Sequence, residues 1–265
     1  FSFAHCAWLA HAGVMRNDLL VLGHRGNAAH YTENTTVGAL QALRAGADGL
    51  EFDVQRCGDR FFVFHDADLQ RMAGDARSLE EISPDDLRAV RLAGGETIPE
   101  LDGFLKAVAS ARVINAELKR ETIRREDFAA LDAIFRASGV KGALLVSSFN
   151  HALLVDYARA GYRTGMLLGA AQLSILLPVT FLCALRIRPH AVNLPWQVFA
   201  TPLRRLYMRI VLFFPAFVRA RRVLWTVNRV KDLDLLSRVA HAIITDDPAL
   251  MIAERNKFNN NGDGA

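Results

Sequence analysis

The sequence predicts a single (β/α)8 TIM barrel, an α/β fold, with a β-hairpin after the second strand. Short β-branched and apolar runs alternate with longer helical patterns, which is the order of βα units on a parallel sheet. Eight runs can be placed as parallel strands, and eight units in about 250 residues is the size of such a barrel. The predicted strands are Leu20–His24, Gly49–Val54, Val113–Leu118, Ala143–Ser147, Gly165–Leu168, Ala191–Leu194, Val223–Val227 and Ala242–Thr245.

The composition is that of a compact globular protein. Of the 265 residues, 51% are hydrophobic and 23% are charged, which excludes a disordered chain and a collagen-like polymer. The formal net charge of +4 gives the surface a mild preference for anionic ligands or membranes. No run of basic residues interleaved with aromatic ones lies on one predicted helix, so nucleic acid is not an expected partner.

The cysteine pattern bears on the compartment. The three cysteines, Cys6, Cys57 and Cys183, are an odd number and lack CxxC spacing. This pattern argues against a disulfide framework and against a thiolate zinc site. We therefore expect a cytoplasmic protein in a reducing environment.

The two ends of the sequence differ from its middle. Residues 1–14 are apolar but lack the basic start of a secretory signal, so we expect a non-core N-terminal extension. Residues 15–257 form the predicted barrel. Residues 258–265 are polar and of low complexity, and we expect a disordered tail there.

Capping residues mark several of the helices between the strands. Thr32 or Asn34 can cap a helix that ends at Gly46, and Ser83 precedes a Pro-Asp-Asp start. Helices are also expected to end before the glycines at positions 139 and 161.

A ninth apolar run, 61–64, breaks the alternation. Only three residues separate it from the extension of the second strand, which is too few for a parallel crossover. The run is therefore expected to fold back as a hairpin centred near Gly58. That centre pairs Asp53 with Val63 and returns His65 to the level of the acidic residues on the second strand.

Acidic residues recur on one face of two predicted strands. Glu51 and Asp53 are two residues apart and point to the same side, into the barrel. Glu117 and Lys119 repeat this arrangement near the end of the next parallel strand. Three converging carboxylates repel each other unless a cation neutralises them, and oxygen ligands suit Mg²⁺ or Ca²⁺ better than zinc. The alternative is salt bridging with Arg25 and Lys119 alone.

Two histidines are expected at the same mouth of the barrel. His24 and Arg25 end the first strand, where barrel active sites are built, and the hairpin returns His65 to that level. One histidine could remove a proton from a nucleophile while the other protonates a leaving alkoxide. A metal, Arg25 and Lys119 could offset charge on phosphate oxygens. These residue types match phosphodiester cleavage, and the alternative for each histidine is a structural hydrogen bond.

These residues belong to a longer series of motifs that occur in order between about residues 20 and 252. The motifs are His24-Arg25-Gly26, Glu33-Asn34-Thr35, Gly46-Ala47-Asp48, Glu51-Phe52-Asp53-Val54, Val63-Phe64-His65-Asp66 with Leu69 and Arg71, Ile98-Pro99, Glu117-Leu118-Lys119, Ser147-Ser148-Phe149, Trp225-Thr226-Val227-Asn228 and Ile243-Ile244-Thr245-Asp246. Together they resemble the glycerophosphodiester phosphodiesterase family.

The resemblance implies a barrel hydrolase that splits glycerophosphodiesters into glycerol 3-phosphate and an alcohol. It implies the following roles: metal ligands Glu51, Asp53 and Glu117; acid/base histidines His24 and His65; phosphate contacts Arg25 and Lys119; and further substrate-binding residues Trp225 and Asn34. Trp225 could instead fill a layer of the barrel, and Asn34 could be only a helix cap. The choice between Mg²⁺ and Ca²⁺ and the assignment of acid and base stay open.

Two other functions stay open beside this one. The first is a lysophospholipase D or sphingomyelinase-D-like reaction on the same barrel, in which a substrate hydroxyl attacks phosphorus and a cyclic phosphate forms. The second is a catalytically silent barrel that binds lipid.

Two apolar segments are unusual for a barrel. Residues 164–185 carry no charge and have the length of a membrane span, but the fifth strand uses the first of them and Pro178 interrupts the rest. Residues 210–218 are apolar and are flanked by arginines. We expect 170–185 and 198–218 to form a peripheral contact with the inner face of a membrane, the alternatives being a spanning helix or ordinary barrel helices.

Overall fold

The fold is a closed barrel of eight parallel strands with one additional antiparallel strand. The computed structural model describes residues 19–262. The strands are β1 Leu20–His24, β2 Gly49–Cys57, β3 Arg60–Val63, β4 Val113–Leu118, β5 Leu144–Ser148, β6 Arg163–Leu167, β7 Ala191–Pro195, β8 Arg221–Trp225 and β9 Ala242–Thr245. They pair in the order β1-β9-β8-β7-β6-β5-β4-β2-β3, and β1 also pairs with β2, which closes the ring. The predicted (β/α)8 barrel with a hairpin after its second strand is therefore confirmed.

Most of the helices cover the outside of the ring, and the second and third helices pack beside the hairpin. The helices are α1 Thr36–Arg44, α2 Gln70–Ala73, α3 Pro84–Ala89, α4 Leu101–Ala107, α5 Phe128–Ala137, α6 His151–Arg159, α7 Leu177–Ile187, α8 Pro202–Leu212, α9 Leu233–Ser237 and α10 Pro248–Gly262. Strands β6 and β8 begin two residues earlier than the apolar pattern predicts. Arg163 and Arg221 occupy their first positions and carry no apolar signal, although their backbones pair with the neighbouring strands.

The inside of the barrel changes from apolar to polar along the strands. On β1 the inward positions are Leu20, Leu22 and then His24, and on β5 they are Leu145 and then Ser147. The apolar positions form a plug at the end where the strands begin. This plug contains Leu22, Leu145, Ala191, Val223, Ala242 and Ile244. The polar side chains are consequently collected at the other end, where the strands finish.

The hairpin pairs one residue away from its predicted register. Val54, and not Asp53, is opposite Val63, because Gly58 and Asp59 together form a two-residue turn. Gly58 has φ of 58°, and a Cβ there would lie 2.8 Å from Pro84 Cγ, so this turn requires glycine. Phe64 N still donates to the carbonyl oxygen of Asp53, so the chain after β3 returns beside β2 as expected.

The cap of α1 is neither of the two predicted residues. Thr35 is the cap, because its hydroxyl accepts a hydrogen bond from Gly38 N at 3.1 Å. Thr32 instead donates its hydroxyl to Glu96, and the side chain of Asn34 lies against Asp53. The other predicted helix boundaries are confirmed: Ser83 caps α3, and positions 139 and 161 hold left-handed glycines after α5 and α6.

The structure describes only part of the two predicted chain ends. The expected N-terminal extension, 1–14, lies outside the described residues. The backbone of 258–262 continues α10 to Gly262, whereas a disordered tail is predicted there. The first half of α10 is held against the barrel because Met251 is buried and Arg255 pairs with Asp48 at 2.6 Å. Once a helix has started, each added residue contributes one further hydrogen bond, so the helix can continue into 258–262.

The uncharged segment 164–185 is divided between β6, a turn and α7. Among residues 19–262, no helix combines the length and the apolar composition that crossing a membrane requires.

We predict that replacement of Phe52 by alanine lowers the free energy of unfolding by about 3–5 kcal/mol. Phe52 is fully buried on β2 and meets Phe104 edge-on, with ring centroids 4.7 Å apart, so alanine leaves a cavity. Urea unfolding followed by circular dichroism measures the loss. Phe213→Ala is the matched control, since this ring is 75% exposed and its loss should change stability by less than about 0.5 kcal/mol. Equal losses in the two variants would contradict the packing described here.

Candidate active site

A pocket opens where the parallel strands end. It contains eight of the nine predicted site residues, and Asn34 lies behind it. The pocket is lined by His24, Arg25, Glu51, Asp53, His65, Asn115, Glu117, Lys119, Ser147, Phe149, Leu167, Trp225, Thr226 and Ile244. The polarity change inside the barrel therefore ends in a single cluster of ionisable groups.

Three carboxylates form the floor of this pocket. Asp53 on β2 pairs in register with Glu117 on β4, and Glu51 lies two residues earlier on the same face of β2. One oxygen from each of the three lies within 4.8 Å of the others. The period of two in a strand directs Glu51 and Asp53 inward, and the parallel register adds Glu117 beside them.

Burial and mutual repulsion change how these carboxyls ionise. Burial raises the pKa of Glu51 to about 7, and the neighbouring charge on Asp53 contributes to this increase. Burial raises the pKa of Glu117 to about 8, again with a contribution from Asp53. Burial acts in the same direction on Asp53, but Lys119 and Arg25 outweigh it and lower its pKa. Without a bound cation, Glu51 and Glu117 are thus partly protonated near neutral pH, whereas Asp53 stays ionised.

The donor set fits a hard divalent cation. Oxygen ligands of Mg²⁺ or Ca²⁺ lie about 2.0–2.6 Å from the ion, so two ligands on opposite sides are separated by roughly 4–5 Å. The three carboxylate oxygens satisfy that separation. A cation among them would also stabilise the ionised forms that burial disfavours.

Two cationic side chains border the carboxylates. Lys119 Nζ lies 3.1 Å from Glu117 Oε1 and 3.4 Å from Asp53 Oδ1. Arg25 Nε lies 3.4 Å from Asp53 Oδ2, and the backbone N–H of Arg25 donates to Glu51 Oε2 at 3.2 Å. The salt bridges expected from the sequence are therefore present, but burial still raises the pKa values of Glu51 and Glu117.

His24 is oriented by an acid from the other end of the chain. Its Nδ1 lies 2.5 Å from Asp246 Oδ1, and its Nε2 lies 3.9 Å from Glu51 Oε2. Burial acts to lower the pKa of His24, but the hydrogen bond with Asp246 and the charge on Glu51 outweigh it and raise that pKa. No role for Asp246 beyond its motif could be predicted from the sequence. The sequence feature that could have indicated its role is its position directly after β9, the strand that pairs with β1.

His65 is held by a chain of charged groups. Its Nδ1 lies 2.7 Å from Asp66 Oδ1, and Asp66 accepts a second hydrogen bond from Arg71 Nε at 2.6 Å. Arg71 also binds both oxygens of Glu33, and Glu33 accepts from Arg25 Nη1 at 2.8 Å. This chain ties the segment after the hairpin to the segment after β1. The three middle members of this chain, Glu33, Asp66 and Arg71, belong to sequence motifs that predicted no specific role for them.

Asn34 lies behind the carboxylates. Its Nδ2 donates to Asp53 Oδ2 at 2.9 Å, and its Oδ1 accepts from Asp53 N at 3.2 Å. Asn34 is buried and has φ of 57°, a conformation that asparagine tolerates better than most residues. The helix-cap alternative is therefore wrong, and both ends of the amide bind Asp53.

Trp225 both lines the pocket and packs into the barrel. Its ring meets Phe149 edge-on at 6.1 Å between centroids and also contacts the apolar plug. The indole Nε1 is buried and has no hydrogen-bond partner in the part of the chain that the structure describes. The two expectations for this residue, pocket wall and barrel packing, are thus compatible.

Comparison with known proteins decides the family. Residues 24–250 match the sequence model of the "Glycerophosphoryl diester phosphodiesterase family". The chain belongs to this family. The predicted resemblance is therefore confirmed, and with it the class of phosphoric diester hydrolase.

Individual relatives agree with the family assignment. The chain is similar to the glycerophosphodiester phosphodiesterase of Caldanaerobacter subterraneus subsp. tengcongensis, with 25% identity over 88% of this chain and 96% of that protein. It is 33% identical to the uncharacterized protein YqiK of Bacillus subtilis over 150 residues, which span 52% of this chain and 61% of YqiK.

Solved structures of the family have the same fold. The crystal structure of the glycerophosphodiester phosphodiesterase from Thermotoga maritima superposes with a TM-score of 0.72 and 27% identity, over 92% of this chain and 99% of that one. An Oleispira antarctica phosphodiesterase, solved in complex with the product sn-glycerol-3-phosphate, gives a TM-score of 0.75 at 20% identity over 89% of this chain and 96% of that one. The second likeness supports the fold alone.

We predict that Asp246→Asn lowers kcat for a glycerophosphodiester at least ~10-fold, because the amide no longer stabilises the protonated ring of His24 in its present orientation. Asp247→Asn is the matched control. Asp247 contacts exposed His30 and the start of α10, so its kcat should stay within about threefold of the wild type. Release of glycerol 3-phosphate measures both. Equal losses in the two variants would contradict the assigned orientation of His24.

Proposed function

We propose that this protein hydrolyses glycerophosphodiesters to glycerol 3-phosphate and an alcohol, with a divalent cation and two histidines. One observation carries the proposal. A single pocket contains three carboxylates within 4.8 Å of each other, two cationic side chains and two histidines whose Nδ1 atoms are both bound by aspartates. Metal-assisted phosphodiester cleavage uses each of these groups.

Glu51, Asp53 and Glu117 would hold the cation, which is Mg²⁺ or Ca²⁺. The bound cation would polarise a phosphate oxygen and offset negative charge in the transition state. Asn34 supports the site by fixing Asp53 from behind, so we now propose a positioning role for it in place of direct substrate contact.

The histidines would transfer the protons. Each uses Nδ1 to bind an aspartate, His24 with Asp246 and His65 with Asp66, which leaves each Nε2 for the substrate. One Nε2 would remove a proton from the attacking water, and the other would donate a proton to the leaving alkoxide. Both assignments of acid and base are compatible with these contacts.

Arg25, Lys119 and Trp225 would bind the substrate. Arg25 and Lys119 border the carboxylates and carry donors that can reach nonbridging phosphate oxygens. The Trp225 ring, with its neighbour Phe149, provides an apolar wall for the glycerol side.

Longer phosphodiesters are a second candidate substrate, favoured by the surface beside the pocket. Ile175 is 89% exposed and lies only eight residues after Leu167, which lines the pocket. We include in the proposal a peripheral membrane contact through 170–185 and 198–218, which would give access to lysophospholipids. Phosphorus NMR of the products distinguishes the two reactions, because hydrolysis yields a phosphomonoester and attack by a substrate hydroxyl yields a cyclic phosphate.

The catalytically silent, lipid-binding barrel remains the alternative of a different class. It leaves the cluster of acids, histidines and cations without a function. Absence of turnover with glycerophosphocholine, glycerophosphoethanolamine, glycerophosphoglycerol and a lysophospholipid, each with Mg²⁺ and with Ca²⁺, would favour it.

We predict that chelation by EDTA abolishes activity, and that Glu51→Gln, Asp53→Asn and Glu117→Gln each weaken cation binding. Each substitution removes one charged oxygen ligand from the set of three. Isothermal titration with Mg²⁺ and with Ca²⁺ measures the affinity. Glu121→Gln, on an exposed residue paired with Arg120, is the control and should bind like the wild type. Full activity in excess EDTA, with metal content measured as zero, would exclude the proposed cation.

We also predict that His24→Ala and His65→Ala each lower kcat by at least ~10², the lower end for loss of a general acid or base. Circular dichroism checks that the fold is intact. His30→Ala is the control, because His30 is exposed and pairs only with Asp247 among the described residues. If His65→Ala retained activity within about threefold of the wild type, the role proposed for His65 would be wrong.

A further inference from the structure

Large exposed apolar side chains are concentrated in one part of the molecule. Of the 14 such residues in the described chain, 11 lie between Ile175 and Val218. Those on α7, α8 and the turns beside them form what we call the apolar face. The apolar face consists of Ile175, Leu176, Val179, Leu182, Leu185, Leu203, Leu206, Ile210 and Phe213.

The apolar face is not needed for packing of the two helices against the barrel. The opposite side of α7 buries Thr180, Ala184 and Ile187, and the opposite side of α8 buries Met208 and Val211. Both helices are therefore already anchored by their inner sides. An outer surface of leucine, isoleucine and phenylalanine leaves much apolar area in water, which is typical of a surface that contacts a partner.

The two helices present the apolar face as one surface. Phe181 of α7 stacks on Phe214, just after α8, with ring centroids 4.0 Å apart and planes 14° from parallel. The hydroxyl of Tyr207 on α8 donates to the carbonyl oxygen of Leu173, in the turn before α7. The relative position of the helices is therefore fixed before any partner binds.

The sequence around the apolar face contains no acidic residue. Between Asp156 and Asp232 there are twelve arginines and lysines and neither aspartate nor glutamate. The other 20 of the 32 basic residues share the rest of the chain with all 28 acidic residues, so the remaining surface is net negative. The net positive charge of this protein thus comes from the stretch of sequence that contains the apolar face.

Several of these arginines have no counter-charge. Arg186 on α7, Arg209 on α8 and Arg219 beyond it are exposed and form no ion pair with any residue in 19–262. Arginines elsewhere on the surface are commonly paired, as Arg136 is with Asp132. Unpaired cations next to exposed apolar side chains are suited to a partner with negative charge at its surface and hydrocarbon beneath it.

We propose that the apolar face docks onto an anionic phospholipid bilayer, with its leucine, isoleucine and phenylalanine side chains in the interface and the surrounding arginines on the head-group phosphates. A second copy of this chain is a poorer occupant, because a two-fold contact would bring two positive, acid-free surfaces together. The proposal rests on the peripheral contact in the proposed function and is independent of the proposed hydrolysis.

Docking would place lipid beside the mouth of the pocket. The turn before α7 starts next to pocket-lining Leu167, and the backbone at Gly169 packs against Phe149, another residue of the pocket wall. From this turn the chain leads directly to exposed Ile175 and Leu176. The bilayer would thus contact the rim from which phosphodiester substrates enter.

The test is sedimentation of the full chain with vesicles of phosphatidylcholine alone or with phosphatidylglycerol. One variant, Leu182→Ser with Ile210→Ser and Phe213→Ser, alters only exposed apolar side chains. A second, Arg186→Gln with Arg209→Gln, removes two unpaired cations. The matched control is Arg44→Gln with Arg91→Gln, which makes the same charge change at exposed arginines on another side of the barrel.

The wild type should bind vesicles that contain phosphatidylglycerol, and should bind phosphatidylcholine alone at least ~10-fold more weakly. The triple serine variant should lose at least ~100-fold in partition coefficient and the arginine variant at least ~10-fold. The control should stay within about twofold of the wild type. Higher salt should weaken binding because it screens the arginines.

Hydrolysis of glycerophosphocholine without vesicles is measured in parallel and should be equal in all variants. Absence of turnover together with the expected vesicle binding would contradict the proposed hydrolysis and leave the docking proposal supported. Three results would overturn the docking proposal: no binding of the wild type to phosphatidylglycerol vesicles, equal binding to both vesicle types, or a wild-type dimer that the serine substitutions dissociate.

Discussion

Burial of three like charges at one mouth of the barrel is the constraint on which the rest of the site depends. Glu51, Asp53 and Glu117 converge because strand period and register direct them inward, and burial together with mutual repulsion then raises the pKa values of Glu51 and Glu117. Asp53 stays ionised at the centre because Lys119 and Arg25 lie 3.4 Å from it and Asn34 Nδ2 donates a hydrogen bond to its carboxylate. The cations and amide around the acids are thus explained by the need to keep one buried carboxylate charged.

Closure of the barrel supplies the remaining geometry. His24 and Asp246 are 222 residues apart, yet they meet because the first and last strands pair in parallel. His65 reaches the same mouth by a different route, through a hairpin and the ion pairs that link Asp66, Arg71 and Glu33. Both histidines therefore have one nitrogen fixed by an acid, which is the requirement for directing the other nitrogen at a substrate. The apolar plug beneath them excludes water from the other end of the barrel.

The outer surface follows a different rule from the interior. Most helices bury one apolar side and expose polar residues, whereas α7 and α8 also expose large apolar side chains beside their arginines and lie in a stretch of 75 residues without an acidic side chain. The uncharged apolar residues of 164–185, which have the length of a spanning helix, include those that form the exposed side of α7. Division of the stretch into a strand, turns and two short helices excludes any span-length helix from the described chain and leaves the apolar side chains outside the barrel.

The sequence by itself determined the features that depend on local periodicity. Alternation along a strand put Glu51 and Asp53 on one face, the short gap before 61–64 required a hairpin, and Ser83 and the glycines at 139 and 161 marked helix boundaries. Only the tertiary structure decided which distant groups meet. The hairpin register is shifted by one residue because the turn contains two residues. Thr35 caps α1 because the side chain of Asn34 binds Asp53 instead. His24 meets Asp246 because the barrel closes between the first and last strands. These outcomes are set by contacts between residues far apart in the chain, and the residue order alone does not fix such contacts.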